Sequence, residues 1–249
     1  MNLNLMFSKV FVITIDKSKN RRKWIEKQLE GVHYEFFHGI QITNEKEYNE
    51  FKKNNSSEIV INSSIISNFG YGHLGCFLSH IYLLKKIKES KYENTLILED
   101  DIIFNKDHLQ KMIYPKKIPD MLFWGYIPTQ SVKRGIESVS VRRLFWLFYL
   151  IKNIRNAATL YLFKNTLLTR IRSFPFPIER HYDKSGYNYG TFAYSVSLDG
   201  ATKLLDLIKE IEIPIDRTYS ELILTSKISS YNSNIPLFGY NHSFPSSTS

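Results

Sequence analysis

Residues 9–15 form a short run of mostly β-branched and aromatic side chains. A run of this length is typical of a strand that is covered on both faces of a parallel sheet. Asp16 ends the run, Ser18 is placed to cap a helix, and Gly31 ends that helix before a second predicted strand at 32–37. The order strand, helix, strand favours an α/β fold with a mixed, mainly parallel sheet that is flanked by helices.

The chain continues this alternation of helices and strands. Residues 70–75 contain three glycines and predict a flexible turn, and apolar residues at a spacing of three to four predict a helix over 76–88. Strands are predicted at 95–98 and 191–198. Asp199 is then expected to cap the helix that follows the second of these strands.

Residues 138–178 differ in composition from the rest of the chain, which we interpret as a single domain over 1–249. No acidic residue lies between Glu137 and Glu179. The same interval contains seven cationic residues: Arg142, Arg143, Lys152, Arg155, Lys164, Arg170 and Arg172. Because aromatic residues are mixed with these cations, the interval predicts one or two basic, amphipathic helices inserted into the domain.

Two interpretations of the 138–178 insert remain open. In the first, the insert binds an anionic membrane surface, with Trp146 and Phe148 at the interface and Arg142 and Arg143 on lipid phosphates. In the second, the insert is a helical subdomain whose aromatic side chains pack inward.

Three adjacent carboxylates, Glu99, Asp100 and Asp101, follow the strand predicted at 95–98. Such groups repel each other and lose hydration on burial, so a divalent cation such as Mg²⁺ or Mn²⁺ would stabilise them. Alternate residues of a strand share a face, so Glu99 and Asp101 are expected to point together to the metal, with Asp100 opposite or toward a sugar. The alternative is a solvated acidic turn.

Several segments resemble glycosyltransferase family 25, the lipooligosaccharide galactosyltransferase group. Gly75-Cys76-Phe77-Leu78-Ser79-His80 is similar to the Gly-Cys-x-x-Ser-His helix start of the family, and 96–101 is similar to its variant of the Asp-x-Asp metal motif. The opening strand with Arg21 and Arg22 and the later segments 190–194, 201–205 and 214–216 complete the resemblance.

The resemblance implies a GT-A-like α/β fold and an inverting transfer from a nucleotide-sugar donor. The expected donor is a UDP-hexose, with galactose as the expected sugar. The expected acceptor is a lipooligosaccharide or lipopolysaccharide, which is a bacterial glycolipid. The metal interpretation of the acidic triplet is strengthened accordingly, with Mn²⁺ or Mg²⁺ bound by Glu99 and Asp101 and bridging the donor diphosphate.

Other residues receive donor-binding roles from their positions and from the resemblance. They are Thr14, Asp16, Arg21, Arg22, Ser79, His80, Glu99 and Asp100. Simpler roles remain open for several of them: Arg21 and Arg22 as solvated cations at a helix start, Asp16 as a helix cap, and Ser79 bonded to the preceding turn. Cys76 is expected to be a small buried residue and not a nucleophile.

Inversion requires a general base that takes the proton of the acceptor hydroxyl. Asp216 and Asp100 are the catalytic candidates, and Asp216 is favoured because it follows Pro214 on a predicted loop. A role for Asp216 as a helix N-cap is equally open. Tyr194 is expected in the core rather than in the sugar pocket.

The net charge of +9 leaves nucleic acid, a membrane surface or a phosphate-bearing substrate as partners. No zinc-finger, helix-turn-helix or RNA-binding pattern is present, so nucleic acid is not expected. The chain has one cysteine and no signal sequence, and its apolar stretch at 144–151 is about half as long as a membrane span. These features predict a cytoplasmic protein that is peripheral on the inner face of the cytoplasmic membrane. Two rival functions are a metal-dependent nucleotidyltransferase or phosphodiesterase, and a non-catalytic membrane-surface module.

Overall fold

A computed structural model describes residues 3–55, 59–128, 138–153 and 172–244. The strands are β1 (Lys9–Thr14), β2 (Glu35–His38), β3 (Val60–Ile61), β4 (Asn94–Glu99), β5 (Ile102–Phe104), β6 (Met121–Pro128), β7 (Phe176–Glu179), β8 (Tyr182–Lys184), β9 (Asn188–Ser197), β10 (Glu210–Ile211), β11 (Ser230–Ser233) and β12 (Phe238–Tyr240). The helices are α1 (Leu3–Met6), α2 (Lys19–Gln28), α3 (Glu45–Asn54), α4 (Ser63–Phe69), α5 (Tyr71–Ser90), α6 (Lys106–Leu109), α7 (Val139–Asn153), α8 (Leu198–Leu207) and α9 (Ile215–Leu224).

The fold is built on an eight-stranded sheet with the order β2-β1-β4-β9-β6-β11-β8-β7. The predicted α/β class and mixed sheet are confirmed. Parallel pairing is confined to β2-β1-β4 and to β6 with β11, because β9 enters antiparallel between β4 and β6 and the β7–β8 hairpin closes one edge. Two small sheets, β3 with β10 and β5 with β12, lie beside it.

Apolar side chains cover both faces of the sheet, as the continuous apolar runs predicted. In β4, Leu96 and Leu98 belong to the core cluster that includes Ile25 of α2. Ile97 belongs to the opposite cluster, which includes Leu84 of α5. A strand with a buried layer on each side has no solvent face, which explains why β4 does not alternate between apolar and polar residues.

The long helix α5 begins earlier than predicted. It starts at Tyr71, so the turn predicted at 70–75 is wrong, and only Gly70, with φ of 90°, lies outside the helix. A Cβ at Gly75 would stand 2.6 Å from the carbonyl oxygen of Ile40. Gly75 therefore permits close contact between α5 and the chain after β2, and it does not mark a turn.

The cap predicted for α8 is also wrong. The N-cap of this helix is Ser197, whose side chain accepts a hydrogen bond from the backbone N–H of Gly200. Asp199 lies in the first turn of α8 instead. The reason is that β9 ends one residue earlier than predicted, at Ser197, so that the extended residue before the helix is a serine.

The insert begins with a helix, α7, as predicted, and its last part forms strand β7 at the edge of the sheet. Residues 154–171 lie outside the described residues. The roles predicted for Arg142 and Trp146 on a lipid surface are wrong. Arg142 is buried and its Nη1 lies 2.5 Å from Asp183 Oδ1 of β8, because a buried carboxylate is costly unless a cation pairs with it. Trp146 packs edge-on against Phe176.

Among the described residues, no helix is both long enough and apolar enough to pass through a bilayer.

Candidate active site

A cleft opens at the carboxyl ends of β1 and β4. These strands are parallel, and Ile13 pairs with Glu99, so both strands end at the same edge of the sheet. The cleft is also lined by residues 40–43 after β2 and by the first half of α5. Six of the predicted donor contacts line it: Thr14, Arg21, Ser79, His80, Glu99 and Asp100. Ligands of α/β sheets commonly bind at this edge.

Asp16 and Arg22 do not line the cleft. Asp16 is highly exposed and its Oδ1 lies 2.8 Å from Nδ1 of His38 at the end of β2. Arg22 Nη2 donates to the carbonyl oxygen of Asp16, 3.0 Å away. These three residues form a surface cluster next to the cleft. Arg22 is therefore a surface cation at a helix start, as the simpler alternative had it, but Asp16 is not a helix cap: the N-cap of α2 is Ser18, and the Asp16 side chain bonds His38.

Arg21 is the buried arginine of the pair, and it bonds the acidic residues. Its Nη1 lies 2.8 Å from Asp100 Oδ1 and 3.0 Å from Asp101 Oδ2. Thr14 Oγ1 donates to the other oxygen of Asp100, Oδ2, at 2.6 Å. Asp100 and Asp101 are 5% and 3% exposed, so the alternative of a solvated acidic turn does not fit the structure.

The strand ends at Glu99, so the strict alternation predicted for Glu99, Asp100 and Asp101 does not continue through the triplet. Asp100 lines the cleft together with Glu99, which fits the expected position toward a sugar and not the opposite one. Asp101 is not among the residues that line the cleft, so the prediction that Glu99 and Asp101 point there together is wrong, and Asp101 shares Arg21 with Asp100. Residues of a turn do not follow the alternation of a strand, so the direction of the Asp100 side chain could not be predicted from the strand period.

Asp101 is the least compensated acid of the three. One of its carboxylate oxygens, Oδ1, is buried without a hydrogen-bond partner. Burial and the negative charges of Glu99 and Asp100 raise the pKa of Asp101 to about 7, although Arg21 acts in the opposite direction. A buried carboxylate oxygen of this kind is costly unless it is protonated or meets a cation.

Glu99 is held by a chain of hydrogen bonds from strand β9. Thr191 Oγ1 donates to Glu99 Oε1 at 2.9 Å and lies 3.3 Å from His80 Nε2. The other ring nitrogen of His80, Nδ1, lies 2.8 Å from the hydroxyl of Tyr194, which is 3.4 Å from the hydroxyl of Tyr219. Burial raises the pKa of Tyr194 well above its ordinary value, so this hydroxyl keeps its proton.

Cys76, His80 and Glu99 also meet closely, with one ligand atom of each within 4.8 Å of the others. Burial and the negative charge of Glu99 raise the pKa of the Cys76 thiol well above its ordinary value. With its pKa raised, the thiol is a poor nucleophile. The Cys76 side chain is partly exposed and lines the cleft, so the prediction of a small buried residue is wrong.

Ser79 and Asp216 have positioning contacts. Ser79 Oγ donates to the carbonyl oxygen of Gly75 at 2.7 Å and accepts from the backbone N–H of Ile40 at 2.8 Å, which fixes the cleft wall after β2 to α5.

Asp216 does not line the cleft: it lies in the first turn of α9 and not on a loop. Its Oδ2 accepts from the backbone N–H of Gly190 at 3.1 Å.

Thr191 is the residue that sequence analysis missed. It was part of the segment 190–194 that resembles the family, but no pattern assigned a role to it. Only the antiparallel pairing of β9 with β4, in which Leu98 is opposite Ala193, brings Thr191 to Glu99. The signal available in the sequence was a polar residue next to a glycine within a predicted strand. In the structure Gly190 has a φ of 77°, which marks a local change in the strand.

An α/β sheet whose acidic strand end faces a cleft is typical of enzymes that bind phosphate-bearing substrates through a cation. The family described as Glycosyltransferase family 25 (LPS biosynthesis protein) matches residues 7–219, and the chain belongs to this family.

The chain is also similar to curated galactosyltransferases. It is 23% identical to procollagen galactosyltransferase 2 of Homo sapiens over 209 residues, which are 80% of this chain and 27% of the human protein. It is 28% identical to procollagen galactosyltransferase 1-B of Xenopus laevis over 167 residues, which are 66% of this chain and 22% of the frog protein. The chain thus spans about a quarter of the length of these relatives.

Proposed function

We propose that the chain transfers a hexose, galactose in the first place, from a UDP-sugar to the glycan of a lipooligosaccharide or lipopolysaccharide. The description of the family, which names LPS biosynthesis, supports the acceptor class. The names of the relatives, which are galactosyltransferases, support the sugar. The relatives are named for procollagen, so the two acceptor classes are compared directly in the experiment below.

The proposal depends on one observation above all, the buried oxygen of Asp101, two residues after Glu99, that has no hydrogen-bond partner. Asp101 Oδ1 is buried without a partner, and Glu99 reaches the cleft with Oε1 bonded to Thr191. Carboxylate oxygens are the ligands that Mn²⁺ and Mg²⁺ prefer, so the residues present fit such a cation. When bound, the cation would neutralise the diphosphate that leaves with the nucleotide.

The oxygen pair Glu99 and Asp101 fits this role better than the group of Cys76, His80 and Glu99. The pKa of the Cys76 thiol is raised, and both ring nitrogens of His80 already have partners, Tyr194 at Nδ1 and Thr191 at Nε2. Glu99 and Asp101 instead offer oxygen atoms, which these cations prefer. Arg21 stays in place as a fixed positive charge beside the donor diphosphate.

For the general base we favour Asp216 over Asp100. Asp100 is buried, and Thr14 and Arg21 each bond one of its two oxygens. Asp216 also has a partner on each oxygen, the backbone N–H groups of Gly190 and Arg217, but it is half-buried where Asp100 is buried, and it lies one residue from Thr191. Because Asp216 does not line the cleft, the acceptor would have to extend past Thr191 for Asp216 to take the proton of its hydroxyl as the hydroxyl attacks the anomeric carbon from the face opposite to the leaving UDP.

A donor screen that follows UDP release with and without Mn²⁺ tests the proposal. UDP-galactose, UDP-glucose and UDP-N-acetyl-hexosamines are supplied with a deacylated lipooligosaccharide or a collagen peptide. We expect metal-dependent UDP release with UDP-galactose and the lipooligosaccharide glycan. Release of hexose 1-phosphate in place of UDP would instead show attack at phosphorus, as in a nucleotidyltransferase or phosphodiesterase.

Asp101→Asn is the decisive variant, with Asp206→Asn on the exposed face of α8 as its control. Loss of the metal-binding charge should lower kcat by roughly 100-fold or more, because such a cation contributes several kcal/mol to the transition state. The control should keep full activity. Unchanged, metal-dependent turnover in Asp101→Asn would place the cation elsewhere.

A further inference from the structure

The first turn of helix α9 carries an arginine without an acidic partner. Arg217 is half-buried, and its guanidinium carbon lies 5.0 Å from the ring centroid of Phe69, the last residue of α4. In the part of the chain that the structure describes, this guanidinium forms no ion pair and no hydrogen bond. A guanidinium that has lost hydration without gaining a counterion favours an anionic ligand, because its N–H donors fit a carboxylate or a phosphate.

The adjacent carboxylate of Asp216 does not pair with this guanidinium. Its Oδ2 accepts a hydrogen bond from the backbone N–H of Gly190 at 3.1 Å, and its Oδ1 accepts one from the backbone N–H of Arg217 at 2.8 Å. Each oxygen of Asp216 therefore has a backbone partner, and the side chain of Arg217 keeps its donors for a ligand.

The third polar group near Arg217 is His73 of α5, whose ring centroid lies 6.0 Å from that of Phe69. Burial, together with the positive charge of Arg217, lowers the pKa of His73 below its ordinary value, although Asp216 acts in the opposite direction. His73 is therefore mainly neutral at pH 7, and Arg217 supplies the positive charge of this group.

Helix α5 connects this group to the cleft. Gly72 and Cys76 line the cleft, and His73 lies about one turn before Cys76, so the two share a side of the helix. The negative charge of Asp216 also contributes to the raised pKa of the Cys76 thiol. The start of α9, with Arg217, is thus at the rim of the cleft.

The two arginines near the cleft come from different sides. Arg21 bonds Asp100 at the ends of β1 and β4, where the donor diphosphate would lie. Arg217 lies beside the start of β9, on the side where an acceptor has to extend past Thr191. We propose that Arg217 binds an anionic group, a carboxylate or a phosphate, of the acceptor glycan and so selects an acidic acceptor. This inference rests on the transfer reaction proposed above and specifies its acceptor class.

Kinetics with three forms of the acceptor test the inference. Deacylated lipooligosaccharide is supplied untreated, after removal of its phosphates, and after reduction of its carboxyl groups to alcohols. We expect at least one treatment to raise the KM for the glycan about tenfold, with the KM for UDP-galactose unchanged, because a charge-assisted hydrogen bond is lost. The treatment that raises KM identifies the anion as a phosphate or a carboxylate.

Variants at position 217 assign the effect to the arginine. Arg217→Gln should raise the KM for the untreated glycan to the value of the treated one, and it should change the KM for the treated glycan little. Arg217→Lys should retain part of the affinity, since it keeps the charge without the planar fork. Lys227→Gln removes an exposed cation beyond the other end of α9 and is the matched control, with a normal KM. Melting temperatures and UDP release to water without acceptor should be unchanged in all three variants.

Three results would overturn the inference: an equal KM for all three glycans, an equal loss by Arg217→Gln on treated and untreated glycan, and a raised KM for UDP-galactose in that variant. The last would place Arg217 at the donor. Absence of UDP release with every glycan would contradict the transfer reaction instead. Calorimetric titration of the three glycans without donor then still decides, since selective binding of the anionic glycan that is lost in Arg217→Gln supports the inference and equal binding contradicts it.

Discussion

At the scale of single residues, the hydrogen bonds behind Glu99 have a consistent direction. Tyr194 can donate to Nδ1 of His80, His80 then donates through Nε2 to Thr191, and Thr191 donates to Glu99. Each member directs its proton toward the cleft, and the chain of hydrogen bonds ends on Glu99 Oε1 as the acceptor. Partners of this kind orient a metal ligand and strengthen it.

Thr191→Val should therefore weaken the cation site. The change preserves the shape of the side chain and removes the donor to Glu99, so we expect the apparent affinity for Mn²⁺ to fall about tenfold. Isothermal titration with Mn²⁺ and the Mn²⁺ dependence of UDP release measure the effect. Thr191→Ser keeps the hydroxyl and is the control; equal losses in both variants would show that packing, and not the hydrogen bond, is responsible.

The choice between neighbouring residues could not be made from the sequence. Arg21 and Arg22 have the same chemistry and are adjacent, but they point in directions about 100° apart on a helix. The structure buries Arg21 on Asp100 and leaves Arg22 on the surface with Asp16. The acidic residues were easier to identify from the sequence. Three carboxylates directly after a buried strand are costly to bury, and this cost indicates a bound partner.

At the scale of elements, α5 forms one wall of the cleft and depends on its glycine. Gly75→Ala would place a Cβ 2.6 Å from the carbonyl oxygen of Ile40, which is backbone and cannot rotate away. We expect a loss of about 2 kcal/mol in the free energy of unfolding, or roughly 4–8 °C in melting temperature. Thermal unfolding followed by circular dichroism provides the measurement.

Gly239→Ala on β12 serves as the control for this prediction. A Cβ there would be 3.9 Å from Ile103 Cβ, an ordinary contact, so the melting temperature should change little. If the two alanine variants had the same stability, Gly75 would have no packing role, and the close approach of α5 to the chain after β2 would be relaxed in solution.

Elements were predicted well where their pattern is local. The positions of β1, β4 and most of α5 followed from apolar periodicity. The direction of β9 did not, because a buried apolar run reads the same whether its neighbours are parallel or antiparallel. The partner of Arg142 was equally out of reach: Asp183 is 41 residues further along the chain, and only the β7–β8 hairpin brings it under α7.

At the scale of the whole molecule, the cleft and α7 lie on different parts of the sheet. The cleft is at β1 and β4, whereas α7 packs on β7 at the far edge, five strand spacings from β4. At about 4.8 Å per spacing, roughly 24 Å of sheet separates the two.

Asp120, which precedes β6, links the residue before β11 to helix α8. Its Oδ1 bonds Lys203 of α8 at 2.7 Å, and its Oδ2 accepts from the backbone N–H and the hydroxyl of Ser229, both at 2.8 Å. Burial alone would raise the pKa of Asp120, but the hydrogen bonds from Lys203 and Ser229 outweigh it and lower the pKa below its ordinary value. The ionised form is therefore favoured by the folded state.

This carboxylate should make the stability of the domain sensitive to acid. A pKa that is lower in the folded than in the unfolded state adds stability above about pH 4, and that stability is lost as pH falls through the folded pKa. Asp120→Asn should lower the free energy of unfolding by about 1 kcal/mol at neutral pH and should leave it unchanged at pH 3. Urea unfolding from pH 7 to pH 3 measures this difference. Asp206→Asn, exposed on α8, should leave the profile unchanged, and a pH-independent loss in Asp120→Asn would mean that the hydrogen bonds matter and the charge does not.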